Sequence, residues 1–305
     1  MQIRKTPPKL KPGDTIAIVA PARKIGLEEL NPAIAIFESW GLKVFIHSQL
    51  FSTEHQFAGN DAIRTQVFND CLNNPKVKAI ICARGGYGTV RIVDHLQLVN
   101  LSTQPKWIIG YSDITVLHSH IHQNTLATTV HATMPINMQA HNAHEASIIS
   151  LKQVLMSDDK VEYSMPSHLL NRLGQAEGIL VGGNLSVLYS LLGSESDVDT
   201  AGKILFIEDL DEYLYHVDRM MQAMKRAGKL ANLAGLIVGG MSDMKDNAIP
   251  FGKTAEQIIA ETAAEYNFPV CFNFPAGHQP ENMSLIFGAK CTLNVRHNHV
   301  EFKHL

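Results

Sequence analysis

The chain has 305 residues, of which 45% are hydrophobic and 18% charged, a composition that is typical of globular proteins and excludes a largely disordered chain. Its 26 Lys and Arg residues against 29 Asp and Glu residues give a net charge of −3, without a basic run that could neutralise a phosphate backbone. We therefore expect no nucleic-acid partner.

The cysteines and the apolar runs bear on the compartment. Four cysteines are scattered without a CxxC pair or zinc-ligand spacing, which favours reduced thiols in a reducing compartment. The basic N-terminus leads into an apolar run that is too short for a secretion signal, and the longest uncharged stretch, 178–194, is too polar to span a bilayer. We expect a soluble, cytoplasmic protein that does not associate with a membrane.

The first half of the chain alternates short apolar runs with amphipathic segments. The pattern predicts strands over 15–20, 42–47, 77–83 and 106–110 and helices over 27–40, 61–72 and 89–96. Strands that alternate with helices imply parallel pairing through right-handed crossovers. We therefore predict an α/β fold whose N-terminal domain is built on a doubly wound parallel sheet.

This alternation is lost over residues 157–175, which we interpret as a linker between an N-terminal domain (1–156) and a smaller C-terminal domain (176–305) of mixed α/β structure. The C-terminal segment is predicted to hold strands over 178–183, 203–209, 233–241 and 269–275, helices over 213–229 and 254–266, and a closing hairpin around residues 296–298.

The most distinctive local pattern follows the strand at 106–110. Gly110-Tyr111-Ser112 leads from this buried strand into a segment of helical period, the context of a nucleophile elbow, in which a tight turn exposes a serine hydroxyl. Ile114 occupies the position of the usual second glycine. The alternative is that Ser112 or Asp113 only caps the following helix, which both residue types do well.

A serine nucleophile also requires donors for the oxyanion that its attack produces, usually the next backbone N–H and one from a glycine-rich loop. The loop Gly85-Gly86-Tyr87-Gly88 follows the strand at 77–83. A plain tight turn is the simplest alternative. A nucleotide-binding module is a further one, although Arg91 stands where a dinucleotide fingerprint would need its third glycine.

A base and an orienting carboxylate complete such a site. The chain has 15 histidines, but His278 lies in a Gly/Pro-rich loop after a predicted strand, where scaffold-held catalytic residues tend to occur. Glu208 ends a strongly apolar strand and is well placed to hold an imidazole. A turn histidine and a helix-capping glutamate are the ordinary alternatives. Ser, Glu and His also occur in the chain order of many hydrolase triads.

A metal site is a weaker hypothesis. His118 and His122 share a helical face, but no glutamate forms an HExxH motif with them, and His120 points elsewhere. We therefore predict no metal site.

Six segments together resemble the LD-carboxypeptidase family, which includes the muramoyltetrapeptide carboxypeptidases and the microcin-immunity peptidases. They are, in the family's order and over almost the whole chain, LKPGDTIAIVAPA, ARGGYGT, IIGYSDIT, GILVGGNLS, LFIEDLDEYLYHVDRM and PAGHQPENMSLIFG. The GYSD pattern of the family itself lacks the second elbow glycine. The resemblance implies an N-terminal domain similar to class I glutamine amidotransferases and a C-terminal domain that supplies Glu and His.

The same resemblance implies the site residues and the activity. Ser112 would be the nucleophile, His278 the base and Glu208 its orienting partner, and the backbone amides of Gly86 and Asp113 would form the oxyanion hole, with no metal or cofactor. The implied reaction releases the terminal D-alanine from murein tetrapeptides during peptidoglycan recycling, by a homodimer. The alternative within the family cleaves an amide in a toxic peptide–nucleotide conjugate. Arg84 is a candidate for binding the terminal carboxylate by position alone.

Overall fold

The computed structural model describes residues 4–142 and 145–305, in which the chain forms a six-stranded and a seven-stranded sheet with helices packed against them. The predicted α/β class is therefore confirmed. Within these residues, no helix has the length and apolar character that crossing a membrane requires.

The first sheet is a doubly wound parallel sheet with one antiparallel edge strand. Its parallel strands are β1 (Thr15–Val19), β2 (Lys43–Ile46), β3 (Val77–Cys82), β4 (Trp107–Gly110) and β5 (Thr129–His131), in the order β2-β1-β3-β4-β5. The helices of this half are α1 (Leu27–Ser39), α2 (Asp61–Asn73), α3 (Thr115–Asn124) and α4 (Ala146–Met156). α1 and α4 share a core with Ile16 and Ile18, whereas α2 and α3 pack with Ala17 and Val19. Because successive strand residues face opposite sides of a sheet, the helices cover both faces.

The predicted helix over 89–96 is not an α-helix. Two single 3₁₀ turns occupy this segment, Thr89–Arg91 and Val93–His95. The amide and hydroxyl of Thr89 are both bonded to Asp113, and the β-branched side chains that follow Thr89 fit poorly into a helix. The β-branched run therefore lowers the helix propensity of this segment, while the bonds from Thr89 attach its first residue to Asp113.

The second sheet is mixed, with four parallel and three antiparallel strands. In spatial order its strands are β10 (Val270–Cys271), β9 (Gly235–Ser242), β8 (Ile204–Leu210), β7 (Gly174–Asn184), β12 (Lys290–Val295), β13 (His299–His304) and β6 (Glu162–Pro166). The predicted closing hairpin is confirmed as β12 and β13. Strand β6 lies inside the segment that we interpret as a linker and pairs with β13. The domain boundaries themselves stay a prediction.

The two sheets are joined through a shared hydrophobic core. Helices α5 (Leu185–Ser190), α6 (Leu214–Arg226) and α7 (Ala255–Thr262) pack against one face of the second sheet. The other face contributes Phe206 to the cluster that also holds Ile16 and Ile18 of the first sheet. Strand β11 (Leu285–Phe287), from the second half of the chain, pairs antiparallel with β5 and completes the first sheet.

A substitution of Phe206 measures how far the two halves stabilise each other. Its ring is fully buried and lies 5.0 Å from His131 and 6.1 Å from Phe287, both in the first sheet. We expect Phe206→Ala to lower the free energy of unfolding by about 3–5 kcal/mol, because the cavity that it leaves lies where both sheets pack. Urea denaturation measures this loss. Leu169→Ala, at a side chain that is 88% exposed, is the control, and equal effects of the two substitutions would contradict the shared core.

Candidate active site

A cavity of about 620 Å³ opens where the two halves of the chain meet, at the carboxyl ends of parallel strands from both sheets. Loops after β1, β3 and β4 line one side, and segments at the ends of β7 and β8 line the other. Ligands of open α/β sheets bind at this edge. Of the sequence-predicted residues, Ser112, His278, Gly86 and Asp113 line the cavity, and Glu208 lies behind His278.

Ser112 occupies a strained turn between β4 and α3. Its φ is +65°, a left-handed conformation that is uncommon for a residue with a Cβ. α3 begins three residues later, and neither the Ser112 nor the Asp113 side chain accepts a backbone N–H from its first turn. The helix-cap alternative is therefore wrong, and the strand–turn–helix geometry is that of an elbow that presents a hydroxyl above the sheet.

The glycine-rich loop after β3 contacts this turn directly. A Cβ on Gly85 would lie 2.9 Å from the Cβ and 3.0 Å from the Oγ of Ser112, so only glycine permits this approach. The Gly86 N–H has no acceptor among residues 4–142 and 145–305. It is free to donate to a bound group.

The side chain of Asp113 fixes the loop to the elbow. Its Oδ2 accepts hydrogen bonds from the Thr89 amide at 2.9 Å and the Thr89 hydroxyl at 2.6 Å, and both residues are buried. Burial raises the pKa of Asp113 even though the bonds from Thr89 oppose that shift. Asp113 thus carries a backbone amide beside Ser112 and a carboxyl group that holds the loop in register.

His278 and Glu208 form a hydrogen-bonded pair. Glu208 Oε2 lies 2.7 Å from His278 Nδ1 and accepts the His278 backbone N–H at 3.1 Å. Glu208 is completely buried in β8, whereas the side chain of His278 is 14% exposed at the cavity. Because Nδ1 faces the carboxylate, the other ring nitrogen, Nε2, is left available to the cavity. No hydrogen bond joins His278 to Ser112 in the described residues.

Gly277 makes the pairing possible. A Cβ at this position would lie 2.7 Å from Glu208 Cβ and 2.8 Å from Oε2, and φ is +108°. The loop can therefore close on the carboxylate only because residue 277 has no side chain. Two further bonds fix the loop: Asn282 Oδ1 accepts the Gly277 amide at 2.9 Å, and the Ser242 hydroxyl donates to the His278 carbonyl.

Burial and charge act in opposite directions on His278. Desolvation lowers its pKa, but the hydrogen bond and negative charge of Glu208, together with the charge of Asp209, outweigh burial and raise the pKa above the usual 6.5. Asp209 itself is buried beside Glu208. Burial is the larger cause and the negative charge of Glu208 the smaller one, and together they raise the pKa of Asp209 to about 7. Asp209 accepts the Asn184 side-chain amide and the backbone amide of Ser186, in the first turn of α5.

Further contacts support the histidine and join the halves of the chain. The ring of Tyr111 lies 4.7 Å from that of His278, and its hydroxyl donates to Asn137. The backbone N–H of Asn184, at the end of β7, donates to Thr115 Oγ1 at 2.9 Å and so connects the second sheet to the first turn of α3. His278 and the turn that carries Ser112 are therefore held in one packed unit.

Two of the three histidines of α3, His118 and His122, are buried in the core, and His120 is partly buried. His118 Nδ1 is bonded to Thr129 and Nε2 to the Gly110 carbonyl, and burial lowers the pKa of His118 to about 4. Among the described residues, no group of three or more His, Cys, Asp or Glu side chains has a metal-binding arrangement. His118 supports the elbow from behind by bonding the last residue of β4.

Sequence reasoning missed several of these contacts. Thr89, Tyr111 and Gly277 were not identified because their roles depend on partners that are distant in the chain. Only the position of Gly277 immediately before His278 offered a signal. Arg23, which follows β1 and lines the cavity, was also missed, and Arg84 lies nearby with a partner, Glu29, at 3.6 Å.

Comparison with known proteins agrees with this architecture. Residues 16–132 match the family model described as the LD-carboxypeptidase N-terminal domain, and residues 177–293 match the LD-carboxypeptidase C-terminal domain. A Bacillus subtilis protein described as a probable murein peptide carboxypeptidase is 36% identical over 296 residues, covering 95% of this chain and 91% of its own length.

Two solved structures have the same fold. Muramoyltetrapeptide carboxypeptidase from Oxalobacter formigenes superposes with a TM-score of 0.86 at 26% identity, covering 95% of this chain and 98% of its own. The microcin C7 self immunity protein MccF gives 0.86 at 22% identity, covering 100% and 99%. At that identity, the second likeness concerns the fold alone.

The origin of the raised pKa of His278 can be tested directly. In Glu208→Gln, burial of the ring persists while the opposing charge is lost, so we expect the His278 pKa to fall below 6.5. An NMR titration of the ring signal, assigned with a His278→Gln variant, measures it. Glu212→Gln removes a nearby charge that is paired with His216 instead and should leave the His278 pKa in place. A His278 pKa that is unchanged in Glu208→Gln would show that the carboxylate does not set it.

Proposed function

The chain belongs to the LD-carboxypeptidase family of peptidases, and we propose that it releases the terminal D-alanine of murein tetrapeptides through a Ser112–His278–Glu208 triad. The observation that carries the proposal is the Glu208–His278 hydrogen bond of 2.7 Å beside a cavity that is also lined by a serine in a strained turn. A buried carboxylate that orients an imidazole next to a serine is the arrangement of a serine hydrolase.

In the first chemical step, the Ser112 oxygen attacks the scissile carbonyl carbon, and the electron pair of the C=O bond moves to the oxygen. His278 Nε2 takes the hydroxyl proton, and Glu208 stabilises the imidazolium that results. Catalytic hydrogen bonds of serine hydrolases are often long without substrate and shorten when it binds, which is consistent with the lack of a Ser112–His278 hydrogen bond in the described residues.

In the second step, the tetrahedral intermediate collapses and the C–N bond breaks. His278 delivers its proton to the leaving amine, which departs as D-alanine, and water then hydrolyses the ester on Ser112 with His278 again as the base. We assign the oxyanion to the backbone amides of Gly86 and Asp113. The loss of one such donor typically raises the barrier by about 3–4 kcal/mol. The Asp113–Thr89 bonds hold the two amides together.

The substrate class is proposed from the relatives. The Bacillus subtilis protein that is named for murein peptides matches nearly the whole chain at 36% identity, whereas the immunity protein shares the fold at 22%. Cleavage of a peptide–nucleotide toxin is therefore the second candidate. The cytoplasmic location, the role in peptidoglycan recycling and the homodimer stay predictions from the sequence resemblance.

The nucleophile is tested with the tetrapeptide L-Ala-D-Glu-meso-diaminopimelate-D-Ala. Wild-type protein should remove one alanine, as detected by mass spectrometry, and Ser112→Ala should lower the rate by more than about 10⁴-fold, because no other group supplies the attacking oxygen. Ser190→Ala, on the exposed end of α5, should cleave normally, and thermal melts should show that both variants are folded. Cleavage by Ser112→Ala at the wild-type rate would refute the triad. No cleavage by the wild type would favour the toxin substrate.

The pH dependence of kcat/KM follows from the protonation state of His278. The base must be neutral to accept a proton, so activity should rise with pH through the pKa of His278. Because that pKa is raised, the midpoint of the acid limb should lie above 6.5. The measurement is kcat/KM between pH 5 and 9 under constant ionic strength. A midpoint below 6.5 would mean that His278 is not the base.

A further inference from the structure

Binding of the terminal carboxylate is a requirement that the triad does not meet. A carboxypeptidase has to distinguish a C-terminal residue from the interior of a chain, and the distinguishing group is the free α-carboxylate. In the substrate only the Cα atom separates the scissile nitrogen from that carboxylate carbon. A group that binds the carboxylate therefore has to lie close to the oxyanion site.

Arg23 is a cation in this position. A Cβ on Gly86 would lie 2.6 Å from the Cδ and 2.9 Å from the Nε of Arg23, so the arginine side chain passes directly over the residue whose amide we assign to the oxyanion hole. Both residues line the cavity. Arg23 is exposed there, and its guanidinium has no hydrogen bond or ion pair with any of the residues 4–142 and 145–305.

The backbone of Arg23 is held by its neighbours. Residue 23 forms an antiparallel bridge with Phe57, and on either side the Lys24 amide donates to the Gln56 carbonyl and the Ala58 amide to the Ala22 carbonyl. The segment after β1 is thus fixed at its main chain, while the long side chain of Arg23 remains free to pair with a ligand. A guanidinium can bind both oxygens of a carboxylate at once.

The other charges of the cavity favour the same side. Arg84 is also cationic, but its guanidinium lies 3.6 Å from Glu29 and its NH1 donates to the Lys24 carbonyl at 3.4 Å. At the end of β8 the cavity is lined by Asp211 and Glu212, acidic side chains that are paired with Lys245 and His216 and that offer a substrate carboxylate no partner. The distribution of charge therefore directs an anionic group towards the loops after β1 and β3.

We propose that Arg23 binds the α-carboxylate of the C-terminal residue that is released, beside the Gly86 amide. This inference rests on the proposed carboxypeptidase function. It defines the substrate class as peptides with a free C-terminal carboxylate and makes Arg23 a specificity-determining residue. Neither the nucleophile nor the base depends on it.

The test compares the tetrapeptide with the same peptide ending in D-alaninamide, which keeps the scissile bond and removes the negative charge. Wild-type protein should prefer the acid. Arg23→Gln should lower kcat/KM for the peptide acid by about 10- to 100-fold, the size expected for a lost bond to a charged group. It should leave kcat/KM for the peptide amide unchanged. Arg23→Lys should retain part of the preference. Lys24→Gln removes the adjacent charge outside the cavity and should behave as wild type.

Three outcomes would overturn the proposal. They are an equal loss on both peptides in Arg23→Gln, an absence of acid preference in the wild type, and loss of the preference in Arg84→Gln but not in Arg23→Gln. Calorimetry of the binding of each peptide to the Ser112→Ala variant measures carboxylate recognition separately from catalytic activity. If the wild type cleaved neither peptide, the proposed function would fail. Preferential binding of the acid that disappears in Ser112→Ala/Arg23→Gln would still support Arg23, and equal binding of the two peptides would refute it.

Discussion

A carboxylate without solvent-exposed surface lies at the centre of the site, because Glu208 is completely buried at the end of β8. An isolated charge in such surroundings costs several kcal/mol unless hydrogen-bond donors compensate for the lost hydration. Both donors that Glu208 Oε2 receives come from His278, one from the ring and one from the backbone. Oε1 has no partner among the described residues. The loop of His278 therefore has to close on β8, and Gly277 allows that approach.

The site lies between the halves of the chain because its residues come from both. Glu208 and His278 come from the second half and Ser112 from the first, so the proposed triad requires the two halves to be fixed with respect to each other. The structure provides this through Phe206 in a shared core, through the Asn184–Thr115 bond at the first turn of α3, and through the ring contact between Tyr111 and His278. Residues outside the cavity thereby determine how Ser112 lies relative to Glu208 and His278.

Sequence patterns predicted most of the strands and helices and the local contexts of Ser112, Glu208 and His278, because buried strands, glycine loops and elbows have short-range signatures. The elements β5, β6, α4 and α5 were not predicted. The helix predicted over 89–96 was wrong because a run of β-branched residues lowers the helix propensity of this short segment, which forms two 3₁₀ turns instead. Strand β11 was missed because three residues of apolar sequence carry no period, and only the open edge of β5 makes them a strand. Arg23 gave no signal because its proximity to Gly86 depends on how two loops pack.

The pairing of β11 with β5 also has a consequence for biosynthesis. Residues 129–131 leave the ribosome long before residues 285–287, so the nascent first half carries an open strand edge until the partner strand has been translated. The order of synthesis also delays Glu208 and His278 relative to Ser112. The sheet that carries Ser112 is therefore completed in the same late stage of translation that delivers His278, and a truncated chain that lacks this segment has neither a closed sheet edge nor the Glu208–His278 pair.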